Sequence, residues 1–112
     1  MKKYLQRALG NVLKEVELYE VYERYGHTFC NVVLRLIDGS NLRIWEKRKD
    51  GELEKYSYYW LDEMSQLIMG WDNAPHHKYI ESYPHHKHIG EHVFPSHDDL
   101  ETVLGIIKSK LK

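Results

Sequence analysis

Between Glu17 and Trp71, β-branched and aromatic residues recur at the two-residue period of strands. Turn signals at Tyr25-Gly26, Asp38-Gly39-Ser40-Asn41 and Asp50-Gly51 divide the run. Strands joined by such short connections pair antiparallel, because a parallel pair needs a crossover of a dozen or more residues. The run predicts an antiparallel meander of about five strands, the last near Gln66 to Trp71. On either side the period becomes helical. Residues 4–16, YLQRALGNVLKEV, set Leu5, Ala8, Leu9, Val12, Leu13 and Val16 on one stripe. Beyond Pro95, Leu100, Val103, Leu104, Ile107 and Leu111 form another. Ser96 is expected to N-cap this second helix, with His97, Asp98 and Asp99 in its first turn and Lys108, Lys110 and Lys112 at its C-terminal end. The expected fold is α+β in a single domain, 1–112: an N-terminal helix, the meander, a histidine-rich segment, and a C-terminal helix packed on the sheet.

One hairpin can be read for register. Asp50-Gly51 suits a two-residue type I′ turn, which sets Lys49 opposite Glu52. Counting outward pairs Lys47 with Glu54, Glu46 with Lys55, Trp45 with Tyr56 and Arg43 with Tyr58. Two of these pairs join opposite charges and one joins two rings, contacts that favour a register. The count predicts one aromatic and cationic face carrying Arg43, Trp45, Lys47, Tyr56, Tyr58 and Trp60.

Fourteen aromatic residues in 112 supply enough apolar surface for one core, and too little chain remains for a second. The net charge of −1 gives no overall attraction to nucleic acid. A single cysteine, Cys30, excludes an internal disulfide and reads as a small buried hydrophobe. No apolar stretch reaches the roughly 20 residues of a membrane span, and no basic and apolar leader opens the sequence, so the cytoplasm is the expected location. A small aromatic-rich domain is also a candidate homodimer.

Seven of the eight histidines lie between His76 and His97. Within this segment PHHKYI (75–80) and PHHKHI (84–89) match at five positions of six. Lys78 and Lys87 offset Glu81 and Glu91, so its charge is set by imidazoles, whose unperturbed pKa is about 6.5. Two chemistries suit such a cluster. In the first, imidazoles act as general acid and base on a phosphodiester while a cation stabilises the transition state. RNA supplies its own nucleophile in the 2′-OH, so no cofactor is required. His86 and His88 share a face of an extended segment and are the leading pair, with His76 and His77 supporting them and Lys87 or Lys78 as the cation. Asp72, Asn73 and His85 border the substrate, Asn73 and Pro75 also shaping the turn. Arg43 and Lys47 would hold phosphate, and Tyr58 or Trp60 would stack a base. The alternative is a metal-binding domain without nuclease activity, holding zinc or another divalent metal on His86 and His88 with His76 as the third ligand. A third class is a module that blocks a protein target through the aromatic face.

The stretch WDNAPHH (71–77), followed by PHHKH (84–88), resembles the TumE family of small prokaryotic toxin-antitoxin proteins. That family's hallmark is an aromatic-Asp-Asn-Ala-Pro-His-His unit followed by Pro-His-His-Lys-His. The likeness extends through YSYYWLD (56–62) and VFPSHDDLETVLGII (93–107). It implies a toxin held inactive by a cognate antitoxin. The helix-plus-sheet layout is similar to the RelE-like type, among which RNases are common, a step that rests on fold analogy alone. Gly70 departs from the pattern, since the family usually carries an arginine just before the aromatic-Asp-Asn unit.

Overall fold

In the computed structural model, which describes all 112 residues, helix α1 (Lys2–Leu9) ends at Gly10. The φ of Gly10 is 56°, a left-handed conformation that glycine adopts at little cost. A 3-10 turn, Gly10–Val12, then leads into strand β1 (Leu13–Arg24). The apolar stripe expected to run helically to Val16 is therefore split. Leu5, Leu9 and Val12 are buried from the helix and turn, whereas Leu13 and Val16 pack on the core from the strand.

The strands β1, β2 (His27–Leu36), β3 (Asn41–Lys49), β4 (Glu52–Leu61) and β5 (Leu67–Asp72) form the expected five-stranded meander. Two further strands, β6 (His86–Ile89) and β7 (His92–Pro95), extend it to seven in the order of the sequence, each pair antiparallel. Their histidines and proline carry no alternating apolar pattern, so the added strands escape a reading based on periodicity. Helix α2 (Leu100–Lys110) completes the chain and packs with α1 on one face of the sheet. No helix is long and apolar enough to cross a membrane.

The β3–β4 hairpin starts as expected. Asp50 and Gly51 have φ of 51° and 80°, as a type I′ turn requires, and Lys49 faces Glu52. Between Lys47 and Arg48 a bulge then shifts the register by one. Arg48 faces Leu53, yet Lys47 faces Lys55, Glu46 faces Tyr56, Trp45 faces Ser57 and Arg43 faces Tyr59. A one-residue slip sends side chains to opposite faces. The single face expected from Arg43 to Trp60 is thus divided. Tyr56, Tyr58 and Trp60 join Leu42 and Ile44 in the buried core beneath the helices, whereas Arg43, Trp45 and Lys47 lie on the face that no helix covers. Apolar burial decides the matter, because the unbulged pairing would place three large rings in water at a cost of about 25 cal/mol per Å².

Helix α2 also begins later than expected. Its N-cap is Asp99, whose Oδ1 accepts from Thr102 N at 2.9 Å, instead of Ser96. Ser96 has another duty: its N–H donates to Ser82 Oγ at 2.9 Å and its Oγ accepts from Asp98 N at 3.1 Å, tying the histidine-rich segment to the helix entrance. The bonds from Thr102 hold the Asp99 carboxyl below the usual carboxylate range. Its stabilising effect is therefore present above about pH 4 and is lost as pH falls through the depressed value. Asp99→Ala should cost about 1 kcal/mol at pH 7 and less in stronger acid. Urea unfolding of both proteins at pH 7 and pH 3 checks this, and an equal difference at the two pH values would refute the cap.

A carboxylate-centred histidine cluster as the candidate functional site

Sheet register carries Asp72 to the centre of the open face. Ser57 faces Asp72 across β4–β5, and Asp72 faces His86 across β5–β6. One step along, Tyr59 faces Gly70, which faces His88. The Asp72 carboxylate accepts from Tyr59 OH at 2.8 Å and from Ala74 N at 2.9 Å, the latter closing an Asx-turn that ends β5. Its Oδ1 lies 2.9 Å from His86 Nε2, and its Oδ2 lies 3.3 Å from His88 Nε2. Asp72 is only 5% exposed and His86 only 2%. A carboxylate this deep persists only when it is paired and hydrogen-bonded, and four donor groups surround this one.

The other ring nitrogen of His86, Nδ1, sits 2.8 Å from the carbonyl oxygen of Pro84. A carbonyl and a carboxylate can only accept, so each nitrogen of His86 stands beside an acceptor. His77, from the turn-rich stretch between β5 and β6, completes the cluster. Its ring stands 4.8 Å from that of His86 and 5.8 Å from that of His88, edge-on to both. Burial holds His88 below the usual imidazole range, against the opposing pull of Asp72, which keeps it a neutral base at pH 7. The three imidazoles also have ligand nitrogens within 4.8 Å of one another, a set that could hold a metal ion.

The other expected site residues separate by face. His76 is exposed at the rim of the open face, and His77 instead meets His86 and His88. Arg43 and Lys47 lie on the open face, two strands from Asp72. Lys87 points the other way, with Nζ 3.9 Å from Asp98 Oδ2. Lys78 is exposed. His85 is on the helix-covered side, where its Nδ1 lies 3.0 Å from Tyr56 OH in a separate cleft of about 470 Å³. Desolvation pushes Tyr56 up to about 12. Tyr58 is buried there and donates to Glu46 Oε2 at 2.5 Å. Asn73 is occupied by backbone: its Oδ1 accepts from Tyr56 N and its Nδ2 donates to Glu54 O, extending the β4–β5 ladder. Tyr59 is the residue that sequence reasoning missed, hidden by the one-residue slip.

Gly70 explains how Tyr59 reaches Asp72. The tyrosine ring lies across the glycine, and a Cβ at position 70 would stand 2.4 Å from Tyr59 Cδ1. Any side chain there must push the ring aside and loosen its bond to the carboxylate. Gly70→Ala should cost about 1–3 kcal/mol by overpacking, and much less in a Tyr59→Ala background, where the ring is gone. A double-mutant cycle by denaturant unfolding tests this; additive costs would show that the two positions are independent.

Comparison with known proteins gives one match. The family described as Toxin TumE matches residues 2–111. No curated protein and no solved structure matches the chain. The match covers both helices and the whole sheet, including the strands that carry Asp72, His86 and His88. The chain therefore belongs to the TumE family of toxins.

Proposed function

We propose that this toxin acts on RNA, cleaving it by proton transfer at the Asp72–His77–His86–His88 cluster. One observation carries the reading: a buried carboxylate orders two imidazoles, with a third at ring-contact distance, on an open face of the sheet. Asp72 Oδ2 fixes the tautomer of His88, drawing the proton to Nε2 and leaving Nδ1 as the free base. His88 Nδ1 then takes the proton of a 2′-OH as that oxygen attacks the adjacent phosphorus. The bond from phosphorus to the 5′-oxygen breaks, the leaving oxygen receives a proton from His77, and the products are a 2′,3′-cyclic phosphate and a 5′-hydroxyl. His86 positions that carboxylate through its Nε2, 2.9 Å from Asp72 Oδ1. Membership of a toxin family implies a cognate antitoxin as the partner that restrains this activity.

A specific observation favours a second reading, in which His77, His86 and His88 hold a divalent metal. Three imidazoles are a suitable donor set for zinc. Binding would require His86 to turn a nitrogen from its present acceptor, and affinity would fall in acid because imidazole binds metal only in its neutral form. His88→Ala and His77→Ala should each lower cleavage by about 10²–10⁴-fold in the purified protein, with the fold retained by circular dichroism. Cyclic phosphate ends and activity unchanged by EDTA support proton transfer; stoichiometric zinc in untagged protein, with activity lost to EDTA, supports the metal reading. Full activity in both variants contradicts the proposal.

A further inference from the structure

The open face of the sheet carries more than the histidine cluster. Tyr22 on β1 and Phe29 on β2 face each other, their rings stacked at 5.2 Å and 12°. Phe29 meets Trp45 on β3 at 6.3 Å. Three neighbouring strands thus present a row of rings on the face that no helix covers, with Tyr22 43% exposed. The core has no use for such a row. Beyond Trp45 the surface dips into a groove of about 400 Å³, lined by Trp45, Lys55, Ser57 and Tyr59 on one side and by Asp72 and His76 on the other. The groove connects the rings to the candidate site.

Beside this path lie three cations without an ion-pair partner, together with the exposed carboxylate of Glu20, in register with Trp45 through Asn31. Lys47 lies directly opposite Lys55, a cross-strand placement of like charges that destabilises a sheet unless an anion bridges it. Arg43 lies four residues from Lys47 on the same face of β3, exposed, and its Nε donates to Asn41 Oδ1 at 3.2 Å. None of these three cations forms an ion pair. Rings for flat apolar groups alternating with cations for anions fit a nucleic-acid strand whose bases are unpaired. A duplex hides its base faces and would not use the row. From β6 to β1 the path crosses five strand spacings, roughly 24 Å, the length of a few nucleotides.

We propose that this face is a track for single-stranded RNA that delivers the scissile phosphate to the histidine cluster. One base occupies the groove against Trp45, adjacent bases stack on Phe29 and Tyr22, and Lys47, Lys55 and Arg43 take the phosphates. The inference rests on the proposed RNA cleavage for its direction, but the track can be tested without any cleavage.

The test uses the full chain and a fluorescent 2′-O-methyl oligonucleotide of 12 residues, which lacks the attacking hydroxyl and stays intact. Wild type, Trp45→Ala and the Lys47→Glu, Lys55→Glu double variant are compared by anisotropy, with the same strand in duplex form as control. Trp45→Ala should weaken single-strand binding about ten-fold, within the range for loss of one stacked base. The double variant should weaken it further and flatten the salt dependence by about 0.7 log units per lysine. Wild type should prefer the single strand to the duplex. Unchanged binding by both variants overturns the track even if the histidine variants lose cleavage. Normal track binding with cleavage insensitive to His77 and His88 would sink the catalytic reading instead. RNA binding unchanged while Trp45→Ala abolishes capture of the cognate antitoxin would make the face a protein dock and overturn the proposal.

Discussion

The Asp72 carboxylate is the constraint on which the open face depends. It ends β5 through an Asx-turn to Ala74, anchors Tyr59 from β4, and contacts His86 and His88 from β6. Four groups from two strands and a turn converge on its two oxygens. Asp72 and His86 meet at near-complete burial, and loss of either would leave the other buried without its partner. The pair is thus costly to break and fixes where the neighbouring imidazoles stand. His88 and His77, half-buried at the edge of this pair, retain access to solvent.

The two faces of one sheet divide the labour. Beneath the helices Trp60, Trp71 and Tyr58 join the aliphatic core, and the tyrosine hydroxyl and indole nitrogens find acceptors in Glu46, Ser40 and Asp98. Those bonds satisfy the polar ends of large buried rings. The opposite face carries no helix. Its side chains need serve no core, and there the rings of Tyr22, Phe29 and Trp45 and the cations of Arg43, Lys47 and Lys55 share a surface with the histidine cluster. Gly70 sits in the midst of this face, with the ring of Tyr59 filling the space beside it.

Much of the architecture was legible because it follows from periodicity. The meander, both helices and the Asp50-Gly51 turn rest on apolar spacing and left-handed turn residues, which act locally. The alternation that sets His86 and His88 against His85 and Lys87 was legible for the same reason. The bulge at Lys47 was not. Its cause is the demand of Tyr56, Tyr58 and Trp60 for the core, a tertiary preference that overrode charge pairs each worth roughly 0.2–1 kcal/mol. That one slip buried Tyr58, left Trp45 on the open face and concealed Tyr59. The choice of His77 over His76 was equally hidden, since it depends on how the chain folds back over β6 after Pro75.

The protonation of His86 tests the central claim most directly. Long-range ¹⁵N–¹H correlation spectra of histidine-labelled protein at neutral pH distinguish an imidazolium from either neutral tautomer. The account predicts that both ring nitrogens of His86 carry protons in the wild type, because both face acceptors, and that Asp72→Asn removes one of them. A neutral His86 with one bare nitrogen in the wild type would contradict it, for then Asp72 would not be the counter-ion around which the site is built.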